Sequence, residues 1–232
     1  MKKILILISA LLVAAGTLQA ATITQTKTFS GSPNYSSILT FNKFDDAGGT
    51  YTLNSIFVSV VLNTAAGASL GIDNDGQNPA SGTASFGSNG GITASDVTLL
   101  KQNFSTFYGT LVSTSSKQMT LAADDGDSTT FSTSGTDYDA LVTSATSVSD
   151  NAYLSSAVFD QYKGNGTYTV TYGVNQYLSM GAFSGAQFQG NPVSADGSMS
   201  IQYNYTIPEP ASASLTALIF VAGFWIRRRF LA

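Results

Sequence analysis

Alternating apolar and polar residues recur along the middle of the chain. The pattern is clearest in residues 56–62, 168–174 and 199–205. Because successive side chains of a β-strand point to opposite faces of its sheet, this spacing predicts half-buried strands. Weaker alternation predicts further strands at residues 22–29, 37–41, 97–100, 107–112, 117–121 and 138–143.

Short clusters of Gly, Asp and Asn separate these segments and predict turns. The clusters lie at residues 47–49, 74–76, 88–91, 125–127, 163–166 and 195–197. Residues 149–159 are expected to form one or two helical turns, and no helix of ten or more residues is predicted here. Many short strands joined by such turns predict an all-β fold, a sandwich-like single domain.

The N-terminus has the order of segments found in secretory signal peptides. Lys2 and Lys3 precede an apolar run, which is followed by Gly16-Thr17-Leu18-Gln19-Ala20. This order predicts a signal peptide over residues 1–20, cleaved between Ala20 and Ala21. An uncleaved membrane helix is the alternative, but the run is shorter than the ~20 residues that a span requires.

The C-terminus carries a motif, an apolar run and a basic cluster, in that order. The motif is Pro208, Glu209 and Pro210, the run is residues 211–226, and the cluster is Arg227, Arg228 and Arg229. At ~1.5 Å per residue the run reaches ~24 Å, less than the ~30 Å hydrocarbon core. Because basic residues remain on the cytoplasmic side, the cluster predicts that the region before the motif is exported.

This arrangement resembles the PEP-CTERM sorting signal, which exosortases of Gram-negative bacteria recognise. The resemblance implies export through the Sec translocon, transient residence in the inner membrane and cleavage by exosortase near the Pro-Glu-Pro motif. It also implies delivery to the cell surface or extracellular matrix. A plain C-terminal anchor is the alternative, and it would leave the Pro-Glu-Pro motif without a role. The predicted layout is a signal peptide (1–20), an exported domain (21–206) and a sorting signal (207–232).

The exported region resembles the choice-of-anchor E domain, a β-rich domain found with PEP-CTERM tails. The similarity lies in residues 38–45, 49–53, 159–167 and 201–205. It implies no catalytic activity.

Composition narrows the function classes. The chain contains no His and no Cys, which excludes Ser-His-Asp and Cys-His triads, His or Cys zinc sites and disulfides. Residues 21–206 contain five Lys and thirteen Asp, a formal charge of −8. This acidic surface argues against binding of nucleic acid or anionic lipid.

Two features of the sequence are compatible with catalysis but do not predict it. Residues 67–71 match G-x-S-x-G, but a nucleophile elbow requires a histidine base, so a loop of small residues is the preferred interpretation. A glycan hydrolase requires only two carboxylates, and nothing in the sequence marks a pair of the thirteen Asp. We therefore predict a protein that is not an enzyme, with no catalytic residues.

Two Asp-rich turns, residues 73–76 and 124–127, are candidate calcium sites. The candidate ligands are Asp73, Asp75, Asp125 and Asp127, since Ca²⁺ prefers carboxylate oxygens. Neither turn has the register of an EF-hand loop, and Asp is also a common turn residue. The prediction is therefore no cofactor, with Ca²⁺ as the candidate if one is bound.

Tyrosines on strand faces are candidate glycan contacts. Tyr168 and Tyr172 would share one face, as would Tyr203 and Tyr205, and their rings could stack on sugars. The alternative is that Tyr simply fills these strands. An exopolysaccharide is thus a candidate partner.

Together these features predict a non-enzymatic surface or extracellular-matrix protein of a Gram-negative bacterium, sorted and processed by exosortase. A glycan-binding or calcium-assisted adhesin is the second hypothesis. An Asp-dependent glycan hydrolase is the third.

Overall fold

The computed structural model describes residues 19–127 and 130–208. This part of the chain forms eleven β-strands and one short helical segment. The strands are β1 (Gln19–Gly31), β2 (Tyr35–Asn42), β3 (Thr52–Thr64), β4 (Ser69–Asn74), β5 (Ala80–Thr93), β6 (Leu111–Leu121), β7 (Tyr138–Val142), β8 (Thr146–Tyr153), β9 (Thr167–Met180), β10 (Ala186–Gly190) and β11 (Ala195–Ile207). A 3-10 turn, Ser156–Val158, continues into a single α-helical turn, Phe159–Tyr162.

The strands form three antiparallel sheets. Sheet A has the order β1-β11-β3-β8, sheet B the order β2-β9-β5-β6, and sheet C the order β10-β4-β7. The first and last strands pair along their whole length, from Gln19 opposite Ile207 to Gly31 opposite Ala195. The two ends of the described chain therefore lie side by side.

Sheets A and B pack face to face as a β-sandwich around the larger core. In β3, the alternating residues Ile56, Val58, Val60 and Leu62 are all completely buried. They belong to one apolar cluster with the buried face of β9, which includes Val170. The predicted all-β fold is thus confirmed, because the period-two pattern places one face of each strand in this core.

A second, smaller core lies beneath sheet C. Leu70 and Ile72 of β4 pack in one cluster with Phe86 of β5 and Met119 of β6. Strand β5 contributes to both cores, since Ile92 near its end belongs to the larger one. The long strand β5 thereby connects sheet C to the sandwich.

Most strand predictions are confirmed, and two are wrong in part or whole. The segments predicted at 22–29, 37–41, 56–62, 117–121, 138–143, 168–174 and 199–205 coincide with or overlap β1, β2, β3, β6, β7, β9 and β11. Residues 97–100 and 107–110 are instead irregular, with an isolated bridge between Leu100 and Thr106. Their apolar residues Val97, Leu99 and Phe107 are buried in the larger core all the same, so burial and not pairing explains the pattern. Strands β4, β5, β8 and β10 were not predicted.

Two predicted turns lie inside strands. Residues 88–91 are part of β5, and residues 195–197 begin β11. A Cβ atom on Gly90 would lie 2.6 Å from Cε1 of Tyr172, and one on Gly197 would meet the Phe29 ring and the Val61 carbonyl. These glycines make room for neighbouring atoms inside the sheets, which is why glycine here did not indicate turns.

The predicted sorting sequences lie mostly outside the described residues. Ala20 and Ala21 belong to β1, opposite Thr206 and Tyr205, and Pro208 is exposed directly after β11. Residues 1–18 of the predicted signal peptide, Glu209 and the residues after it, including the arginine cluster, are not described. Among residues 19–127 and 130–208, no helix is long and apolar enough to cross a membrane.

Candidate metal centre

Three segments of the chain bring aspartates together beside sheet C. Asp73 lies in β4 and Asp75 just after it, residues 124–127 follow β6, and Asp137 immediately precedes β7. The backbone amide of Asn74 donates to the carbonyl of Asp137 at 3.0 Å, and that of Asp124 donates to the carbonyl of Gly76 at 3.0 Å. These backbone bonds fix the three segments relative to one another.

The carboxylates form two groups that share one member. One oxygen from each of Asp124, Asp125, Asp127 and Asp137 lies within 4.8 Å of the others, and the same holds for Asp73, Asp75 and Asp127. We call the six residues Asp73, Asp75, Asp124, Asp125, Asp127 and Asp137 the aspartate cluster. With every carboxylate ionised, it carries a formal charge of −6.

Two members of the aspartate cluster are completely buried. Asp73 and Asp137 have no exposed surface. One oxygen of each accepts a backbone hydrogen bond, Oδ2 of Asp73 from Ser132 at 2.6 Å and Oδ2 of Asp137 from Asp125 at 2.9 Å. The other oxygen, Oδ1, has no partner among the described residues, and the same is true of Oδ1 in Asp75 and Asp127. Buried carboxylate oxygens without a donor are costly in a folded protein.

The neighbouring Asn74 provides a contrast, because it is equally buried and fully satisfied. Its Nδ2 donates to the carbonyls of Asn78 and Ala122, at 2.9 and 2.5 Å. Its Oδ1 accepts from the backbone amide of Gly76 at 3.2 Å. The fold supplies partners for a buried amide at this place and leaves the adjacent carboxylates without them. A bound cation would supply the partner that these carboxylate oxygens lack.

Burial and the charges of neighbouring aspartates both disfavour ionisation of Asp73 and Asp125. Burial raises the pKa of Asp73, and the nearby Asp127, Asp137 and Asp75 raise it further, although the amide of Ser132 opposes them. The charge of Asp137 is the main cause that raises the pKa of Asp125. A bound cation would remove this repulsion.

No lysine of the described chain neutralises the aspartate cluster. The two ion pairs in residues 19–127 and 130–208 join Lys117 to Asp139 at 2.6 Å and Lys163 to Asp160 at 2.9 Å. The Lys117 ammonium also donates to the carbonyl of Ala140 at 2.9 Å. Both paired carboxylates lie outside the cluster.

Glycines allow the chain to pack closely around the carboxylates. Gly135 has φ +115°, and a Cβ atom there would collide with carboxylate oxygens of Asp137 and Asp125. At Gly71 in β4, a Cβ would lie 2.9 Å from the rings of Phe131 and Tyr138. These two rings meet edge to face, with centroids 5.9 Å apart, and they hold the segment before β7 against β4.

The arrangement has the chemistry of a calcium site. Its side-chain donors are all oxygens, and Ca²⁺ takes six to eight oxygen ligands, often from several carboxylates and backbone carbonyls. The described ligand set contains no nitrogen or sulfur donor, which softer transition metals favour. The aspartate cluster therefore suits a hard divalent cation.

The structure unites residues that the sequence placed in two separate turns. Asp73, Asp75, Asp125 and Asp127 all belong to the aspartate cluster, together with Asp124. Sequence reasoning missed Asp137, an isolated Asp in the Ser/Thr-rich stretch 128–149. Its only signal in the sequence is Gly135 two residues earlier. Neither turn matches an EF-hand loop, in which one segment supplies the ligands. The carboxylates of the aspartate cluster come instead from three segments that are distant in sequence.

The structure also shows where the G-x-S-x-G match and the tyrosines expected to contact glycans lie. Ser69 and Gly71 of the G-x-S-x-G match lie in β4, with Gly67 in the preceding loop at φ +94°. Tyr168, Tyr172 and Tyr203 are buried in the larger core. These three rings therefore have no free face for a sugar, and Tyr205, the fourth candidate, is half-buried against the same core.

Comparisons with known proteins identify no family. No protein-family model matches the chain, and no curated protein matches it. Among solved structures, the T13 particle of infectious bursal disease virus matches with a TM-score of 0.20 at 10% identity, over 91% of this chain and 47% of that one. The Gx strain of that virus matches with a TM-score of 0.20 at 11% identity, over 85% and 44%. The chain spans about half the length of these capsid structures, and TM-scores of this size carry no argument about function.

Proposed function

We propose that this chain is an exported, non-enzymatic surface or extracellular-matrix protein of a Gram-negative bacterium whose β-domain binds calcium. The observation that carries the calcium part is the pair of completely buried carboxylates, Asp73 and Asp137, each with one unpartnered oxygen in the aspartate cluster. A divalent cation supplies the partner that the protein does not.

Export and calcium binding support each other. Extracellular modules bind Ca²⁺ with dissociation constants of about 10⁻⁴ to 10⁻³ M, so such a site suits a protein that leaves the cell. A domain with a formal charge of −8 also gains from a bound cation, because self-repulsion destabilises a compact acidic protein.

The sorting part of the proposal rests on the two ends of the sequence. Basic, apolar and small residues follow one another as in a signal peptide, and the C-terminal motif, apolar run and arginines resemble a PEP-CTERM signal. In the fold, Ala21 pairs with Tyr205, and Pro208 follows β11 at once. A chain cleaved after Ala20 would keep β1 almost complete, and the exosortase motif would begin at the edge of the folded domain.

Thermal unfolding tests calcium binding. At a Ca²⁺ concentration of about 100 times the dissociation constant, binding stabilises the folded state by ~2.7 kcal/mol. For a domain of this size each kcal/mol raises Tm by about 2–4 °C, so a rise of roughly 5–10 °C is expected. Asp137→Asn should abolish most of this rise, whereas Asp160→Asn, at an exposed Asp outside the cluster, should retain it. An unchanged Tm in the wild-type chain would overturn the calcium part.

Intact-mass analysis of the protein from its native host tests the sorting part. The expected mass is that of a chain starting at Ala21 and ending near Pro208, Glu209 and Pro210. Replacing these three residues by Ala should leave the C-terminal segment attached and the protein in the inner membrane. Normal release of the replaced chain would contradict exosortase processing.

The remaining hypotheses gain no support from the site. Three of the four tyrosines proposed for a glycan-binding adhesin, Tyr168, Tyr172 and Tyr203, are buried, and Tyr205 is half-buried against the same core. A retaining glycan hydrolase requires carboxyl groups ~5–5.5 Å apart with room for a sugar. The oxygens in each group of the aspartate cluster lie within 4.8 Å of one another, an arrangement that favours a cation.

A further inference from the structure

We propose that the aspartate cluster binds two Ca²⁺ ions, with Asp127 as a ligand of both. This inference rests on the proposed function, which requires only that the cluster binds calcium. It adds the number of ions, the ligands of each and the residue that connects them.

The separation of the carboxylates supports two ions. Ca²⁺ lies 2.3–2.6 Å from its oxygen ligands, so two ligands of one ion are at most ~5 Å apart. The group of Asp124, Asp125, Asp127 and Asp137 meets this condition, and so does the group of Asp73, Asp75 and Asp127. The two groups have only Asp127 in common. Each therefore suits an ion of its own, and Asp127 lies between them.

The unpartnered oxygens are distributed over both groups. Asp137, whose Oδ1 is unpartnered, belongs to the first group, Asp73 and Asp75 belong to the second, and Asp127 is the shared residue. A single ion in either group would leave Oδ1 of at least one completely buried carboxylate, Asp73 or Asp137, without a partner. Two ions satisfy both.

The negative charge of the aspartate cluster also supports two bound ions. The six carboxylates carry a formal charge of −6, and no lysine pairs with them in the described part of the chain. One Ca²⁺ would leave four negative charges within a partly buried volume, whereas two would leave two. The second ion therefore removes repulsion between carboxylates that the first leaves in place.

Asp127 is placed to act as a bridge. It is half-buried, and its backbone carbonyl accepts from the amide of Thr130 at 2.9 Å. A carboxylate has two oxygens, so it can bind two cations together. Binding of the two ions should therefore be coupled through this residue.

The number of bound ions can be measured directly. The full-length chain, stripped of metal, would be titrated with CaCl₂ in a calorimeter, and the loaded protein weighed by native mass spectrometry. Three variants separate the sites: Asp124→Asn alters only the first group, Asp75→Asn only the second, and Asp127→Asn both. Asp160→Asn serves as the control, and circular dichroism checks that each variant is folded.

We expect two Ca²⁺ per wild-type and control chain, one tight ion in Asp124→Asn and in Asp75→Asn, and at least a tenfold weaker affinity for both in Asp127→Asn. One ion in the wild-type chain would overturn the two-ion inference and leave the proposed calcium binding intact. Two ions whose affinities are both unaffected in Asp127→Asn would overturn the bridging role. No bound ion in the folded wild-type chain would overturn the calcium part of the proposed function itself.

Discussion

The hydroxyl oxygens of Tyr168 and Tyr203 lie 2.9 Å apart in the buried interior and connect the two sheets of the sandwich. Tyr168 belongs to β9 of sheet B and Tyr203 to β11 of sheet A. The Tyr203 hydroxyl also donates to the carbonyl of Asn42 at 3.1 Å. Burial raises the pKa of Tyr203 to about 12 and that of Tyr168 further, so both hydroxyls remain protonated at physiological pH.

The two tyrosines are expected to differ in their response to loss of the hydroxyl. In Tyr168→Phe, Tyr203 keeps its acceptor Asn42, and the cost should be that of one hydrogen bond, ~0.5–1.5 kcal/mol. In Tyr203→Phe, the buried Tyr168 hydroxyl loses the partner that it has in the fold, which costs ~1–3 kcal/mol. Urea unfolding of both variants measures the difference. Equal stabilities would contradict the hydrogen-bond assignment.

Glycine at position 90 is expected to be essential for the packing of Tyr172. A Cβ atom on Gly90 would lie 2.6 Å from that ring, whereas one on the adjacent Gly91 would meet nothing closer than 3.7 Å. Both residues lie in β5. Gly90→Ala should therefore destabilise the domain by ~1–3 kcal/mol through overpacking. Gly91→Ala is the matched control and should be close to neutral, as thermal unfolding would show.

The fold could be predicted where local pattern and tertiary environment agree. In β3, every second residue from Ile56 to Leu62 is buried, so alternation alone identified the strand. In β5, the sequence is rich in Gly and Ser, and its glycines fit beneath Tyr172 and against β6. These close approaches involve residues that are distant in the sequence. They therefore cannot be inferred from the residues next to each glycine.

The sequence indicated the type of ligand in the candidate site, but not which segments of the chain come together to form it. Closely spaced aspartates indicated hard oxygen ligands at Asp73 and Asp125. The contact between those two turns depends on the antiparallel pairing of β5 with β6, which places Ala80 opposite Leu121, and β5 itself was not predicted. Asp137 joins the aspartate cluster through the pairing of β4 with β7, so its role could not be recognised from its sequence neighbours.

Gly135 is expected to be required for calcium binding for two reasons: its backbone conformation and the room that it leaves for neighbouring carboxylates. Gly135 and Gly126 both have positive φ, +115° and +109°, so Ala at either position is strained by about 1–2 kcal/mol. A Cβ at position 135 would in addition displace the carboxylates of Asp137 and Asp125, while one at position 126 would meet no atom within 4 Å. Calorimetric titration should show a calcium affinity at least tenfold weaker in Gly135→Ala than in Gly126→Ala. Equal affinities would show that these carboxylates do not hold the ion.

Calcium should counteract the loss of stability that rising pH causes in the metal-free domain. Without metal, the pKa values of Asp73 and Asp125 are raised in the folded state. Folding then favours their protonated forms, so their contribution to stability is fully present below the ordinary Asp pKa of ~3.9 and is lost as pH rises through the raised values. Calcium binds the ionised carboxylates, and its stabilisation therefore grows as pH rises.

Thermal unfolding between pH 4.5 and 7.5, in calcium-depleted and calcium-containing buffer, measures both trends. We expect Tm to fall with rising pH in the depleted buffer and the difference between the two buffers to widen. Asp96 has the opposite effect, because hydrogen bonds from Thr169 lower its pKa. Asp96 acts in both buffers, so the difference between them isolates the aspartate cluster. Asp73→Asn combined with Asp125→Asn should flatten the fall in depleted buffer and reduce the widening, and an unchanged pH profile in that double variant would contradict this account.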